Sequence, residues 1–357
     1  MITTGQKIAI RRTENSRLPG TDLDNIKFGR VFSDHMVVMD HVDGSWGAPS
    51  IVPFEKLSMS PASLVLHYGQ SIFEGLKAYR SDDGSVNVFR PQANIARMNR
   101  SAQRMCMPQV PEDLFLETLI ELLKVDQAWI PGGDEAALYI RPFMYASDEF
   151  IGVRPSDTYK FMIFTCPVRG YYKEPVRVRV ETDYSRAFPG GTGATKCAGN
   201  YSAALYPAKL AQEQGFHQLI WTDAMTHRYI EESGTMNVFF VVDGKLLTPE
   251  TSGTILEGVT RDSLIQLAER AGRPIDVRQV SVEEIRKSLE EGRLTEAFGA
   301  GTAATIAHIS AISIGGEEFS LPPIEQRIVA LALEKELDDI RRGRADDPYG
   351  WLVQVPA

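Results

Sequence analysis

Three Asp-Gly pairs, Asp43-Gly44, Asp83-Gly84 and Asp243-Gly244, each sit between short apolar runs. Asp-Gly accepts the positive φ angles that tight hairpin turns demand. The flanking runs therefore read as antiparallel hairpins: His35–Asp40 with Ser50–Phe54, Gly75–Arg80 with Val86–Phe89, and Met236–Val242 with Lys245–Thr248. Ala136–Tyr145, Lys160–Val168 and Gln218–Thr222 are also strand-like. Helical patterns lie between. Pro91 suits a first helical turn, and Ile95, Met98, Ala102 and Met105 keep helical spacing behind it. Leu114–Val125 is amphipathic, and Asn200–Gln214 and Thr260–Ala271 run up to Gly215 and Gly272. Ser281 and Glu284 have the spacing of a capping box, and the last long helix is expected over Ile324–Arg341.

Hairpins interleaved with helices imply an α/β fold of the mixed α+β kind, not a doubly wound parallel sheet. Around Val168–Arg177 both periodicities are lost, in Arg-Gly-Tyr-Tyr-Lys-Glu-Pro. An interdomain linker is expected at 169–177, between a smaller N-terminal domain over 1–168 and a larger C-terminal domain over 178–357. A chain of 357 residues is long enough for two domains and a substantial core.

Composition excludes several functions. With 43% apolar and 24% charged residues the chain is not disordered. Its net charge of -9 argues against nucleic acid, whose phosphates call for a basic surplus. Ala297–Gly316 carries no charged residue and is long enough to span a bilayer. Its Gly299, Gly301, Thr302, Thr305 and His308 fit a buried strand and glycine loop instead, so no membrane partner is expected. Met1–Ile10 has no signal-peptide core. Cys106, Cys166 and Cys197 form no CxxC and no even framework, which suits buried, reduced thiols in a cytoplasmic protein. No metal-ligand spacing and no GxSxG elbow is present.

Chemistry concentrates in a few segments. Pro189-Gly-Gly-Thr-Gly-Ala-Thr-Lys196 places one lysine after three glycines and just before a helix. Such a loop lets a ligand approach the backbone and suits a nucleophilic amine, or is simply a flexible loop with a solvated lysine. It fails the phosphate-loop spacing, with Cys197 where a hydroxyl belongs. Glu231 and Glu232 end a strand-like piece; a buried carboxylate there needs a cationic or N–H partner, and at least one of the two is expected in solvent. Gly258 feeds a helix start at Val259 and Thr260, which can bind an anion. The loop Gly299–Ala304 can offer further N–H groups, and Arg90 a fixed guanidinium or an ordinary ion pair. His67, Tyr68, Tyr139 and Tyr201 are each expected in the core before they are expected in catalysis.

Together these segments resemble branched-chain amino acid aminotransferases, of the fold-type IV pyridoxal phosphate enzymes. The resemblance rests on Leu66–Tyr79, Val88–Pro91, Leu138–Pro142, Gly190–Lys196, Gly199–Tyr201, Glu232–Asn237 and Gly258–Arg261, in chain order. It implies two α/β domains with pyridoxal 5′-phosphate at their interface, and a homodimer or higher homo-oligomer. Lys196 would be the Schiff-base lysine and proton shuttle. Glu232 would face the pyridine nitrogen and Tyr201 the phenolic oxygen. Arg90, the N–H groups of Val259 and Thr260, and Thr302 would hold the phosphate. Tyr68 and N–H groups near Thr235 and Ala303 would take the substrate carboxylate, with Phe73, Tyr139, Tyr201 and Thr235 around the side chain. Val153 would come from the partner subunit, and Arg141 would receive the second carboxylate of glutamate. The implied reaction moves the amino group of L-leucine, L-isoleucine or L-valine to 2-oxoglutarate. A D-amino acid aminotransferase, an aminodeoxychorismate lyase, a cofactor-free Schiff-base lysine enzyme and a phosphate-binding regulatory protein are the alternatives. Ala304 and Ala307 stand where mammalian relatives carry a CxxC thiol pair, so thiol regulation is not expected there.

Overall fold

A computed structural model describes residues 8–170 and 174–356. The chain divides into two compact units. The first holds residues up to Tyr171, the short piece Thr195–Ala198 and the tail from Ile340; the second holds Tyr172–Ala194 and Gly199–Asp339.

The first unit is built on a ten-stranded sheet. Its main path runs Ala9–Ile10, Ser50–Pro53, His35–Val42, Tyr159–Arg169, Ala136–Ala146, Leu76–Arg80, Val86–Phe89, Leu352–Val355. All neighbours are antiparallel except the first pair. The two long central strands match residue for residue, from Ala136 opposite Arg169 to Ala146 opposite Tyr159. The helices Pro91–Arg104 and Glu112–Val125 contribute Ile95, Met98, Phe115, Leu119 and Leu122 to one core with Leu138, Ile140, Phe161 and Ile163. Full burial of such a side chain is worth about 1.5–3 kcal/mol.

The second unit also carries ten strands. Their main path runs Ile275–Val277, Lys245–Thr248, Asn237–Val242, Leu294–Gly301, Thr305–Ile314, Val176–Val180, Gln218–Thr222, Tyr229–Ser233, Val280–Ser281. Val176–Val180 is parallel to both its neighbours, and Ile275–Val277 to Lys245–Thr248; the remaining pairs on this path are antiparallel. Val178, Ile220, Val238, Phe240, Ile309 and Ile312 form its core.

The Asp-Gly turns do what their chemistry allows. Asp43 and Gly44 have φ of 52° and 74°, and Asp243 and Gly244 51° and 75°, in the two-residue loops closed by Val42–Ser45 and Val242–Lys245. The first of these turns leads into Ser45–Trp46, and Ser50–Pro53 then pairs further back along His35–Val42. Ser281 caps its helix through Oγ, which accepts the N–H of Glu284 at 3.0 Å.

Two helix expectations are corrected, and the strand ends bear on the expected linker. Arg169 ends one strand and Val176 begins another, so the expected linker shrinks from both sides; its Tyr171–Lys173 lie outside the described residues. The expected boundaries 1–168 and 178–357 also differ from the grouping above, because Leu352–Val355 pairs with Val86–Phe89 and the Lys196 segment packs with the first unit. The helix expected over Asn200–Gln214 is two helices, Ala198–Ala203 and Leu205–Glu213. Pro207 lacks the N–H that would have bonded to Ala203 across the break. The last helix begins at Ile328, after a separate turn at Ile324–Gln326.

That helix start is held by buried charge. Glu296 accepts the N–H groups of Val329 and Ala330 at 2.9 and 2.8 Å. Arg327, 2% exposed, donates to the carbonyls of Ala297, Ile309 and Pro322. Arg327→Met would strand these carbonyls. We expect a loss of about 3 kcal/mol, read from the denaturant midpoint, because each buried acceptor left unpaired costs about 1–3 kcal/mol.

Candidate active site

In the first unit, Lys196 is fixed by its backbone. Its N–H donates to Ser101 Oγ at 3.0 Å, and its carbonyl accepts the N–H of Phe73 at 3.1 Å. Next to it, Cys197 is buried and bridges to Ile72 as a short piece of antiparallel sheet. The glycine loop therefore ends in a single bridge to the first unit's sheet edge, and Lys196 is half-buried rather than loose in solvent. Lys196 Nζ lies 4.9 Å from the centre of the Phe73 ring. The Arg141 guanidinium lies 4.7 Å from the same ring. Arg141 also donates to the Tyr139 hydroxyl at 2.9 Å, while its buried Nε has no hydrogen-bond partner. The structure thus gathers Lys196, Phe73, Tyr139 and Arg141. Gly75 makes room for this: a Cβ there would stand 2.1 Å from the Tyr139 hydroxyl.

The Pro91–Arg104 helix ties this group to Arg90. Arg90 is the residue before the first turn, in the left-handed region at φ 49°. Its N–H donates to the Trp351 carbonyl at 2.7 Å, and its guanidinium lies 5.0 Å from the Trp351 ring. One turn and more along the helix, Arg97 pairs through two bonds, 2.7 and 2.8 Å, with Glu74, which has no exposed surface. Ser101 follows on the same helix.

Tyr68 and Val153 stand elsewhere in this unit. Tyr68 ends the short Leu64–Tyr68 helix and is 41% exposed. Val153, on the loop after Glu149, is 89% exposed. Leu64 N–H to the Asp148 carbonyl, 2.8 Å, ties the two segments together. His67 is not a core residue: it is exposed, with Nε2 2.8 Å from the Pro61 carbonyl. Nor are all three thiols buried. Cys106 is exposed, whereas burial pushes Cys166 up to about 11 and keeps it protonated at neutral pH.

The second unit holds the remaining residues. Contrary to the expectation that one of them is solvated, Glu231 and Glu232 are both buried, at 7% and 5% exposure. Glu232 pairs with Arg186 at 2.9 Å and accepts longer bonds from Leu256 N–H (3.3 Å) and Asn237 Nδ2 (3.4 Å). Thr254 donates its hydroxyl to Glu231 at 2.5 Å. Burial raises the Glu231 pKa, against this hydrogen bond and the attraction of Arg186, which both lower it. Asn237 also reaches the start of the Val259–Arg270 helix. A Cβ on Gly258 would fall 1.9 Å from Asn237 Oδ1, so only glycine fits before the first turn, whose Val259 and Thr260 are buried. No side chain caps this helix at Gly258. Tyr201 lies half-buried on the Ala198–Ala203 helix.

Two turns complete the set. Ser233 and Met236 exchange both backbone bonds at 2.7 Å, leaving Thr235 exposed at the tip. Thr302 and Ala303 occupy the turn between Gly301 and Thr305, which pair across it. Thr305 has φ 64°, a strained value for a β-branched residue. Holding such a residue there costs about 1–3 kcal/mol.

Sequence reasoning missed Ser101, Arg97 with Glu74, and Arg186. Nothing in the neighbouring residues of any of them signals its partner; only the buried Glu232, which had to have a cation or an N–H, pointed toward Arg186. Ser101→Ala removes the acceptor of the Lys196 N–H. We expect it to cost about 1–2 kcal/mol of stability and to speed deuterium exchange at the Lys196 amide selectively, measured by peptide-resolved exchange.

A family model for amino-transferase class IV matches residues 71–312. Branched-chain-amino-acid aminotransferase 2 of Bacillus subtilis (strain 168) is 43% identical over 99% of this chain and 98% of its own. The branched-chain aminotransferase of Thermoproteus uzoniensis, crystallised with norvaline, superposes with a TM-score of 0.75 at 27% identity, over 90% of this chain and 100% of that one. A T.th. branched-chain amino acid aminotransferase, complexed with N-(5′-phosphopyridoxyl)-L-glutamate, gives 0.72 at 25% identity, over 91% and 100%. On this family match over residues 71–312 and the 43% identity over nearly the full chain, this chain belongs to the class IV aminotransferases.

Proposed function

We propose that this protein is a branched-chain amino acid aminotransferase, which reversibly moves the amino group of L-leucine, L-isoleucine or L-valine to 2-oxoglutarate and uses pyridoxal 5′-phosphate. The observation that carries this reading is Lys196, a half-buried amine held through both sides of its backbone beside Phe73 and Arg141. It agrees with the 43% identity to a relative of that name over nearly the full chain.

The donor set fits such a cofactor. Lys196 offers an amine for its aldehyde. Glu232 is a buried carboxylate suited to a protonated ring nitrogen. The Val259–Arg270 helix start, with a glycine where any Cβ would clash, suits a phosphate, and Arg90 and Thr302 would hold the same group. Tyr201 would bond the phenolic oxygen. Bound pyridoxal phosphate supplies an aldehyde carbon that joins to amines and a ring that takes up the electrons left at Cα.

The protein's own residues do the rest. With the cofactor bound, Lys196 Nζ would hold it and, once exchanged for the substrate amine, would serve as the base that carries the substrate Cα proton. Tyr68 and the N–H groups around Thr235 and Ala303 would receive the substrate α-carboxylate. Phe73, Tyr139 and Thr235 would line its side chain. The Arg141 guanidinium lies 4.7 and 5.3 Å from the Phe73 and Tyr139 ring centres, so one place would present apolar rings to a leucine side chain and a guanidinium to the second carboxylate of glutamate. Each methylene is worth about 1–3 kcal/mol in an apolar pocket, so leucine, isoleucine and valine are separated only weakly.

We read the working form as a homodimer or higher oligomer in the cytoplasm. Phe150, Ile151 and Val153 are exposed together at 42, 66 and 89%, an apolar edge that a second copy would cover, with Val153 reaching the partner's site. The three cysteines are free, and no helix among the described residues is long and apolar enough to cross a membrane.

Borohydride reduction of the cofactor-loaded protein should fix a pyridoxyl group on Lys196, seen by peptide mapping; L-leucine should discharge the absorbance of the loaded lysine and D-alanine should not. A tag at another lysine, or a protein that cannot be loaded, overturns the assignment. Arg141→Met should raise KM for 2-oxoglutarate at least about 30-fold while leaving KM for leucine within severalfold, because a carboxylate that loses a buried charged partner loses about 2–5 kcal/mol.

A further inference from the structure

In the second unit, two buried carboxyl groups, Glu231 and Glu232, are neighbours in the chain and share the surroundings of one arginine. Arg186 has a side chain only 7% exposed and sits in direct contact with Glu232 Oε1. It is locked in that place by two further acceptors, the carbonyls of Gly193 and Thr254. Glu231 is differently served. Thr254 donates to its Oε1, and its Oε2 is buried with no hydrogen-bond partner. One nearby anion, Asp223, repels it, while Arg186 attracts it from a distance. A carboxylate with one bare buried oxygen is costly, and a neutral carboxylic acid in the same place costs less. Two adjacent buried carboxyls near one arginine are not both ionised cheaply, and Arg186, with the Leu256 and Asn237 donors, favours the charge on Glu232.

We propose that Arg186 is a positioning residue for Glu232: it holds that side chain as the one anion of the pair, while Glu231 stands beside it as a neutral acid. This rests on the reading above, in which Glu232 faces the cofactor's ring nitrogen. Arg186 then supplies two things to that contact. It makes the negative charge reside on Glu232 and not on Glu231, and it turns the carboxylate by holding Oε1. The carbonyl of Gly193, three residues before Lys196 in the chain, accepts from the same guanidinium.

Infrared difference spectra of the cofactor-loaded protein at neutral pH test this directly, through the carbonyl stretch that only a protonated carboxyl shows. Glu231→Gln should delete one such band. Arg186→Gln should add a band, which Glu232→Gln then removes, and should speed cofactor release at least about tenfold. Arg186→Lys keeps the charge and should add no band. A purely structural arginine would lower Tm without creating a protonated Glu232. If Arg186→Gln does not fold, Glu231→Gln still decides, since it is nearly isosteric with the neutral acid.

The sign of the pH effect gives a second reading. A raised carboxyl pKa contributes stability that is full below the ordinary glutamate range and is lost as pH rises through the raised value. The charged groups that act on Glu231 are Arg186, which attracts it, and Asp223, which repels it. Glu231→Gln should therefore gain in Tm over the unaltered protein as pH rises, and converge with it in acid. No lost band in Glu231→Gln, or no new band in Arg186→Gln, overturns the proposal while a pyridoxyl tag on Lys196 leaves the transaminase reading standing. Bands as expected with no tag on Lys196 overturn that reading, and with it the role given to Arg186.

Discussion

A carboxylate with no exposed surface must be paired, and much of the first unit follows from how Glu74 is paired. Arg97 grips both of its oxygens from the Pro91–Arg104 helix, and Gly75 N–H donates to it at 3.1 Å. That bond pins the link between the strands Ser71–Phe73 and Leu76–Arg80 against one helix. On one side of Glu74, Phe73 presents the N–H that holds Lys196; on the other, Gly75 leaves the space that the Tyr139 hydroxyl occupies. The same helix carries Arg90 at its start and Ser101 near its end. One buried ion pair thus sets where the lysine, the aromatic wall and the arginine at the helix start stand relative to each other.

The second unit uses buried charge differently. Arg97 answers one carboxylate with one cation, but Arg186 has two within its field and touches one. The outcome is one anion and one acid in adjacent residues, in a strand whose sequence makes no distinction between them. Asn237 extends this order to the phosphate-binding candidate, since its side chain donates to Glu232 and to the Leu256 carbonyl and rests where any Cβ on Gly258 would collide with it. The strain at Arg90, a candidate phosphate contact, and at Thr305, which closes the Thr302–Ala303 turn, is the backbone counterpart: both are left-handed without being glycine.

Substrate breadth has a simple physical source in this reading. A guanidinium lying on two aromatic faces keeps its charge while covering little new surface. An apolar side chain can meet the rings, and a carboxylate can meet the nitrogen atoms. A lysine in place of Arg141 would offer a compact, strongly hydrated charge and lose this double character.

Local signals in the chain are legible where the cause is local. Asp43-Gly44 and Asp243-Gly244 turn because both residues accept positive φ, Ser281 caps because its hydroxyl reaches an N–H three residues on, and Pro91 opens a helix because it needs no donor there. The single helix expected over Asn200–Gln214 fails although Pro207 is in plain view, since periodicity there masks one missing N–H. The motif residues, read through their resemblance to a family, point to Lys196, Arg141 and Glu232. What the sequence by itself determined, then, was the mixed character of the fold, its turns and the residue types available for chemistry. Only the tertiary structure decided that Leu352–Val355 returns to pair with Val86–Phe89, that Ser101 holds Lys196, and that Arg186 chooses Glu232 over Glu231. These partners lie tens to hundreds of residues apart, and a buried charge or N–H accepts whichever partner the packed chain brings to it; no local pattern encodes that choice.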